Sequence, residues 1–373
     1  PAYDLERANL ILSFGAPLLE RWHSPMQAQR AYGYLRQERK GARARIIQVE
    51  PRFSMTAAKA DRWVPIQPGT EGMLALGLAY VLIKEKLYDT SFVEHHTFGF
   101  EDMHDEKGQV RQGMKNFVLE HYRPERVSEI TGVDVGNLVM LAKELSETRP
   151  AVVIGGGATS LYSNATNTEM SIYSLNALMG SLEVPGGVLH QRRVNLMPAP
   201  DVTPDEIARK GLTMPRVDSR TAKIPSLPFQ DPDAFLESVL KGNPYRIQSL
   251  WIIDENPVFS SVSTSRWKKA LEMIPLVVNF STFMTETAEM ANLVLPQPTF
   301  MERQELVSAT SVSPTPVLGF MQPVVKQLYD TRPVGDVVLT VARGINDQFA
   351  GHFPWKNLES FQDACLNNVH KEE

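Results

Sequence analysis

Two acids stand out for their setting. Glu50 is followed by Pro51 and Arg52, and Glu71 follows the turn Gln67-Pro68-Gly69-Thr70. Ile46-Ile47-Gln48-Val49, just ahead of Glu50, is rich in β-branched residues and reads as a buried strand. Pro51 must end that strand, because it lacks a ladder N–H and fixes its own φ. Ligands of open α/β sheets bind beyond the carboxyl ends of the strands, so Glu50 is placed to accept two hydroxyl hydrogen bonds from a ribose. A small-residue segment, Thr56 to Asp61, and a second short strand, Arg62 to Ile66, separate the two acids. The stretch Ala44 to Glu71 therefore has the order of a nucleotide site, although its phosphate loop is not the usual one. Gly155-Gly156-Gly157 follows the β-branched run Ala151 to Ile154 and could let backbone approach an anionic or planar ligand. A tight turn would look the same. His95-His96 invites a metal reading, but adjacent histidines point different ways on regular structure and no third ligand has suitable spacing. No metal ligand is assigned in this chain. The single cysteine, Cys365, excludes a disulfide framework, a Cys-ligated iron–sulfur cluster and a thiolate zinc site within these residues.

The elements that must position these groups alternate between strand and helix. Leu10 to Phe14 is a first buried strand, ended by Gly15 where backbone must turn or approach a ligand. Ala16 to Glu20 leads toward a helix through Met26, Ala28, Ala31, Tyr34 and Leu35. The basic run Arg36 to Arg45 reads as a solvated helix end, not an anion site. The following Ile46 strand makes a β-α-β unit, whose crossover should be right-handed. Gly72 to Lys86 is apolar almost all round and must pack against the sheet, whereas Asp134 to Glu147 reads as a surface helix. A helix around Ile172 to Met179 precedes the irregular segment Gly180 to Val188. Residues 196 to 233 are Pro-rich and poorly periodic. Beyond them a second α/β unit begins: helix Ala234 to Leu240, strand Ser249 to Ile253, helix Ser265 to Met273, and strands Leu276 to Ser281 and Leu293 to Pro296. Asp254-Glu255-Asn256-Pro257 ends its first strand much as Glu50-Pro51-Arg52 ends the earlier one. The halves look like related nucleotide-binding units, without a clean repeat period.

The expected fold is α/β, with two Rossmann-like, mostly parallel-sheet units. The first covers residues 1–194, a Pro-rich connection 195–233, the second unit 234–345, and a tail 346–373. An apolar fraction of 43% and a charged fraction of 22% are those of a soluble globular protein. The net charge of −5 and the lack of a basic stripe argue against nucleic acid as a partner. No apolar run reaches the ~18 residues expected of a membrane span, so direct membrane insertion is not expected. Pro1-Ala2-Tyr3-Asp4 is an abrupt opening without an initiator Met. The chain is therefore expected to be a piece of something longer, and missing targeting signals are uninformative.

The blocks Val49–Glu101 (VEPRFSMTAAKADRW…QPGTE…) and Phe283–Glu305 (FMTETAEMANLVLPQPTFMERQE) resemble the molybdopterin oxidoreductases related to dimethyl-sulfoxide reductase. Ile154 to Gly157, Leu182 to Val188 (LEVPGGV) and Glu255-Asn256-Pro257 fall in the expected order between them. The polysulfide, thiosulfate and related respiratory reductases look most similar. The resemblance implies a bis-(molybdopterin guanine dinucleotide) with molybdenum or tungsten, cradled by two α/β domains. Gly15 and Ala16 would line one pyrophosphate. Glu50 and Arg52 would meet its ribose and phosphates. Glu71, after Gly69 and Thr70, would receive the guanine N1–H and amino group. Gly156 and Ser160 would lie near a pterin, and Glu255, Asn256, Ser281, Arg303 and Asp336 would serve the second dinucleotide. Many members carry Asp at the Glu71 position, and some carry Asp where this chain has Ser281, which weakens guanosine recognition there.

The resemblance also implies an upstream 4Fe–4S cluster motif and metal-ligating residue, and a C-terminal domain that closes over the pterins. None of these lies in the sequence at hand. An Arg193 near the metal is a further expectation, against the plainer one of a salt-bridged surface arginine. The implied partners are an iron–sulfur electron-transfer subunit and a membrane quinone-reactive subunit, with anaerobic-type respiration as the setting and a periplasmic or membrane-complex location. The alternative is a homologue that has lost metal and pterin and acts as a scaffold or electron-transfer subunit of a quinone-linked complex. A conventional NAD enzyme does not fit, because no G-x-G-x-x-G opens a helix after a first strand.

Overall fold

The apolar runs bracketed by turn residues become parallel strands. In the computed structural model, which describes residues 1–41, 43–104, 107–191, 194, 196, 204–218, 232–308 and 315–372, the chain divides into two units. One is built on residues 1–193 with 309–317, the other on 194–308 with 318–373. Arg193 lies outside the described residues.

Unit 1 contains, in chain order, β1 (Leu10–Phe14), α1 (Pro25–Gly33), β2 (Arg45–Val49), α2 (Met55–Lys59), β3 (Arg62–Val64), α3 (Glu71–Lys84), α4 (Val135–Glu147), β4 (Ala151–Ile154) and α5 (Ala165–Leu178). Its main sheet has the order β3-β2-β1-β4 with every pairing parallel. The chain steps outward from β1 to β3 and then returns to the other side of β1. The switch point therefore lies between β1 and β4, where such sheets open a crevice at the strands' carboxyl ends. All residues of β1 and β4 are buried, as continuous β-branched runs require of strands covered on both faces.

Helix α3 is buried along most of its length, packed on the helix Pro124–Thr131 and on α4 and α5. Leu74, Leu78 and Leu82 have no exposed surface, which is worth about 2 kcal/mol apiece. Gly77 permits the close approach: a Cβ there would sit 2.8 Å from Val127 Cγ1 and 3.1 Å from Leu138 Cδ1. The outer edge of β4 is closed by a side chain. Asn176 on α5, fully buried, accepts from the Val153 N–H and donates to the Val153 carbonyl, each at 2.8 Å. That amide stands in for the missing neighbouring strand.

The basic run before β2 is spent on structure. Arg36 forks onto Asp61 at 3.0 and 2.9 Å with its side chain only 8% exposed, and Arg45 pairs with Glu144 at 2.6 Å. Arg39 donates to the Ala8 carbonyl at 2.6 Å. Instead of a solvated helix end, these cations tie the crossover back to the sheet.

Unit 2 contains α6 (Pro232–Lys241), β5 (Ser249–Ile253), α7 (Thr264–Met273), β6 (Leu276–Ser281), β7 (Leu293–Pro296), β8 (Glu305–Ser308), β9 (Leu318–Met321), α8 (Val334–Ile345) and α9 (Leu358–Glu372). β7-β6-β5 form a parallel sheet, and β8 and β9 an antiparallel hairpin. Leu236, Ala270, Leu271 and Val277 make its core. The architecture is mixed α/β with mostly parallel sheets, as the alternation of elements predicts. Among the described residues no helix is long and apolar enough to cross a membrane.

Candidate nucleotide site

The site of unit 1 is built by the segments that follow its four strands. At the end of β1, Gly15 adopts φ +65 and its N–H donates to the Val49 carbonyl at 2.9 Å. The following carbonyl, of Ala16, is held by two fully buried polar side chains. Gln48 Nε2 donates to it at 3.2 Å and the Ser13 hydroxyl at 3.4 Å. Both groups alternate with apolar neighbours inside otherwise greasy strands, and their donors are satisfied by fixing this loop, while Gln48 Oε1 is buried without a partner among the described residues. Opposite, at the end of β4, Gly157 (φ +63) presses on the loop: a Cβ there would meet Pro17 Cδ at 2.5 Å and the Gly15 carbonyl at 2.7 Å. The Gly156 N–H donates to Glu169 Oε1 at 3.0 Å and to the Thr159 hydroxyl at 2.9 Å. Thr159 itself donates to Glu169. Ser160 donates to the Gly157 carbonyl at 2.8 Å.

Past β2, the Glu50 carboxylate is only 6% exposed and takes both the N–H and the hydroxyl of Ser54, which also caps α2. Trp63 Nε1 donates to the Glu50 carbonyl at 2.9 Å, fixing the backbone from the side of β3. Arg52 is open to solvent and lies 3.5 Å from Glu20. Gly15, Pro17, Glu20, Arg21, Glu50, Pro51, Arg52, Ala158 and Leu161 together line a cleft of about 500 Å³ at the switch point.

The segment after β3 supplies Glu71. Thr70 closes a tight turn onto the Gln67 carbonyl at 2.7 Å, Gly69 takes φ +80, and Glu71 becomes the first residue of α3. Its side chain has no exposed surface, and neither carboxylate oxygen has a hydrogen-bond partner among the described residues. Burial pushes the Glu71 carboxyl above the usual range. Its own N–H and that of Gly69 lie close enough to oppose this shift but do not complete hydrogen bonds. Such a group is costly unless something supplies donors. Gly69 and Gly72, on either side of Glu71, line a second cavity of about 650 Å³, with Met73, Phe117 and Asn167.

The strand ends of unit 2 gather their polar groups differently. Asn256, after β5, accepts from the Thr287 hydroxyl at 2.7 Å and donates to Glu286 at 2.8 Å. Ser281, ending β6, donates to the Phe283 carbonyl at 2.7 Å. Arg303 lies 3.9 Å from Asp254 and 3.0 Å from Glu305. Glu255 is exposed. These four residues cluster about the carboxyl ends of β5 and β6. Asp336 accepts from the Leu358 N–H at 2.6 Å and so ties α8 to the start of α9. Among the described residues no hydrogen bond or ion pair joins Asp336 to the other four. Asn279, fully buried in β6, has neither amide atom partnered among the described residues.

The sequence reading passed over Glu20, Arg21, Thr159 and Glu169. Glu20 and Arg21 sit in turns between β1 and α1, where no periodicity marks a side chain's direction. Elsewhere, His95 Nδ1 lies 2.8 Å from the Ser91 carbonyl and His96 packs on Phe92. Among the described residues no three His, Cys, Asp or Glu side chains gather as a metal set.

A parallel sheet with a crevice at its switch point, a glycine on each wall and two acids beyond β2 and β3 defines an α/β protein whose strand ends are arranged to take a ligand. More particularly, the chain belongs to the molybdopterin oxidoreductase family, whose model matches residues 1–342. It is 27% identical over 393 residues to the arsenate respiratory reductase molybdopterin-containing subunit ArrA of Shewanella sp. (strain ANA-3), covering 95% of this chain and 44% of that protein. It is 26% identical to the thiosulfate reductase molybdopterin-containing subunit PhsA of Salmonella typhimurium, covering 99% and 47%. Identity is 28% to the menaquinone reductase, molybdopterin-binding-like subunit of Nitratidesulfovibrio vulgaris, covering 91% and 43%. Acetylene hydratase from Pelobacter acetylenicus shares the fold, with a TM-score of 0.75 at 22% identity over 98% of this chain and 51% of the hydratase. The chain thus spans about half the length of the relatives it matches.

The residues present fit a guanine dinucleotide. The Glu71 carboxylate, orphaned among the described residues, lacks donors that a guanine edge has.

Proposed function

We propose that this chain is the dinucleotide-cradling part of the catalytic subunit of a molybdenum or tungsten oxidoreductase, with a bis-(molybdopterin guanine dinucleotide). The single observation that carries the reading is Glu71, fully buried with two oxygens unpartnered among the described residues, between two glycines that line a cavity of about 650 Å³. An ionised carboxylate accepts from both the N1–H and the amino group of guanine, a paired charge-assisted contact. Glu50, held rigid by Ser54, offers its remaining oxygen to the ribose. Gly15 and Ala16 give backbone to the pyrophosphate, with Gly156 and Ser160 on the facing wall and Arg52 as the mobile cation. Glu255, Asn256, Ser281 and Arg303, with Asp336, would serve a second dinucleotide in unit 2. When bound, the cofactor supplies metal-centred redox chemistry in which an oxygen or sulfur atom is transferred. The protein's share is to orient the group and exclude water from its guanine end.

The relatives named as respiratory reductase subunits support a place in anaerobic-type electron transfer. The partners would be an iron–sulfur subunit and a membrane quinone-reactive subunit, in a periplasmic or membrane-associated complex. A 4Fe–4S cluster and the metal-ligating residue would come from the remaining part of a longer protein. A scaffold without cofactor would have no use for a buried carboxylate lacking partners, so Glu71 favours the enzyme reading. Mild acid hydrolysis of the native protein, with chromatography of the liberated nucleotide, tests it. GMP is expected. No nucleotide, or CMP or AMP in its place, would remove guanine recognition from the account.

A further inference from the structure

The cleft that should receive a pyrophosphate is electrically balanced without one. Arg21 and Arg52 line it, but so do Glu20 and Glu50. Glu50 is committed to Ser54. Glu20 is not committed in the same way: its Oε1 lies 3.5 Å from Arg52, and its Oε2 is buried without a donor. A lone buried oxygen costs free energy, and the Arg52 side chain, 76% exposed, is tethered among the described residues by this one long ion pair. For Arg52 to face a phosphate it must leave Glu20 or share itself between two anions.

We propose that Glu20 is a positioning residue that acts as an internal substitute for the phosphate. It holds Arg52 across the mouth of the cleft until the diphosphate of a guanine dinucleotide displaces it, so it sets the affinity and release of the anionic part of the ligand. The proposal rests on the guanine-dinucleotide reading of the same cleft. An exposed ion pair is weak enough to exchange, and a diphosphate offers more acceptor oxygens in better geometry than one carboxylate. A carboxylate left beside the bound diphosphate repels it, so the native cleft binds an anion less tightly than its two arginines would allow.

The test is calorimetric titration of the full-length protein, purified free of cofactor from cells unable to make the pterin dinucleotide, with GDP and with guanosine, which lacks the diphosphate, for wild type, Glu20→Gln and Glu20→Asp. Glu20→Gln should bind GDP about three- to tenfold tighter at low salt, and this advantage should shrink toward none near ~0.5 M salt as charge is screened. Guanosine affinity should not change, and Glu20→Asp, which keeps the charge, should stay close to wild type for GDP. A merely structural Glu20 would not separate the two ligands. Equal or weaker GDP binding by Glu20→Gln, or a gain for both ligands alike, overturns the proposal while leaving the dinucleotide reading in place. Failure of wild type to bind either ligand overturns both.

Discussion

Replacing Glu71 with Gln should move stability and binding in opposite directions. In the free protein the Glu71 side chain is fully buried and both oxygens lack partners. The neutral amide keeps the shape and removes an unpaired buried charge, so the ligand-free protein should become more stable. An unsatisfied buried group costs about 1–3 kcal/mol, and 1 kcal/mol shifts the melting temperature by roughly 2–4 °C for a unit of this size. An increase of about 2–12 °C is therefore expected by calorimetry. Binding should suffer. Gln presents an NH₂ to a guanine edge that also donates, so one of two charge-assisted hydrogen bonds is lost and the other becomes neutral. At about 1.5–3 kcal/mol per such bond, the loss is about 3 kcal/mol, or roughly two orders of magnitude in GDP affinity. Calorimetric titration with GDP reads it directly. Unchanged GDP affinity in Glu71→Gln, or a variant less stable than wild type, would refute the reasoning, because a residue kept only for packing would show one or the other.

Three further outcomes follow from the same geometry. GDP affinity should rise with pH through the raised pKa of Glu71, since only the ionised carboxylate accepts from both guanine donors, while the ligand-free protein loses stability over that interval. The sign follows from the folded state holding its proton above the unfolded value of ~4.3, so the native state binds more protons there. Titrations across pH should show proton release on binding, and a flat profile would contradict it. Asn176→Leu strips both partners from Val153 at the edge of β4 and should cost about 2–4 kcal/mol in denaturant unfolding, with lost amide protection at Val153. Gly77→Ala should destabilise by about 1–3 kcal/mol although alanine is the better helix former, because the new methyl meets Val127 at 2.8 Å. A stabilised Gly77→Ala protein would show that α3 can move away at little cost.

Much of this was readable beforehand because the informative signals are local. A β-branched run stopped by proline marks a strand end whatever surrounds it, so Glu50 and Arg52 could be placed on the rim of the sheet before any coordinates. The turn ahead of Glu71 is equally local, and α3 is long and apolar enough to declare its burial. What escaped depends on contacts between distant residues. Asn176 is one of several polar residues of α5, and nothing near it says that it, and not another, will complete the edge of β4, 23 residues away. Asp336 is a site acid by what the family resemblance implies, yet its carboxylate is engaged by Leu358, 22 residues on. Glu20 lies in a segment without period. The basic run Arg36 to Arg45 looked like a solvated end because its acceptors, Asp61 and Glu144, come from later elements.

The most direct measurement is the metal and pterin content of the full-length native gene product, by elemental analysis and fluorescence of the oxidised pterin. The account predicts molybdenum or tungsten together with two pterins per chain. Protein isolated with neither metal nor pterin, while any partner subunits retain their iron–sulfur clusters, would contradict it and leave the cleft of unit 1 as an inherited cradle.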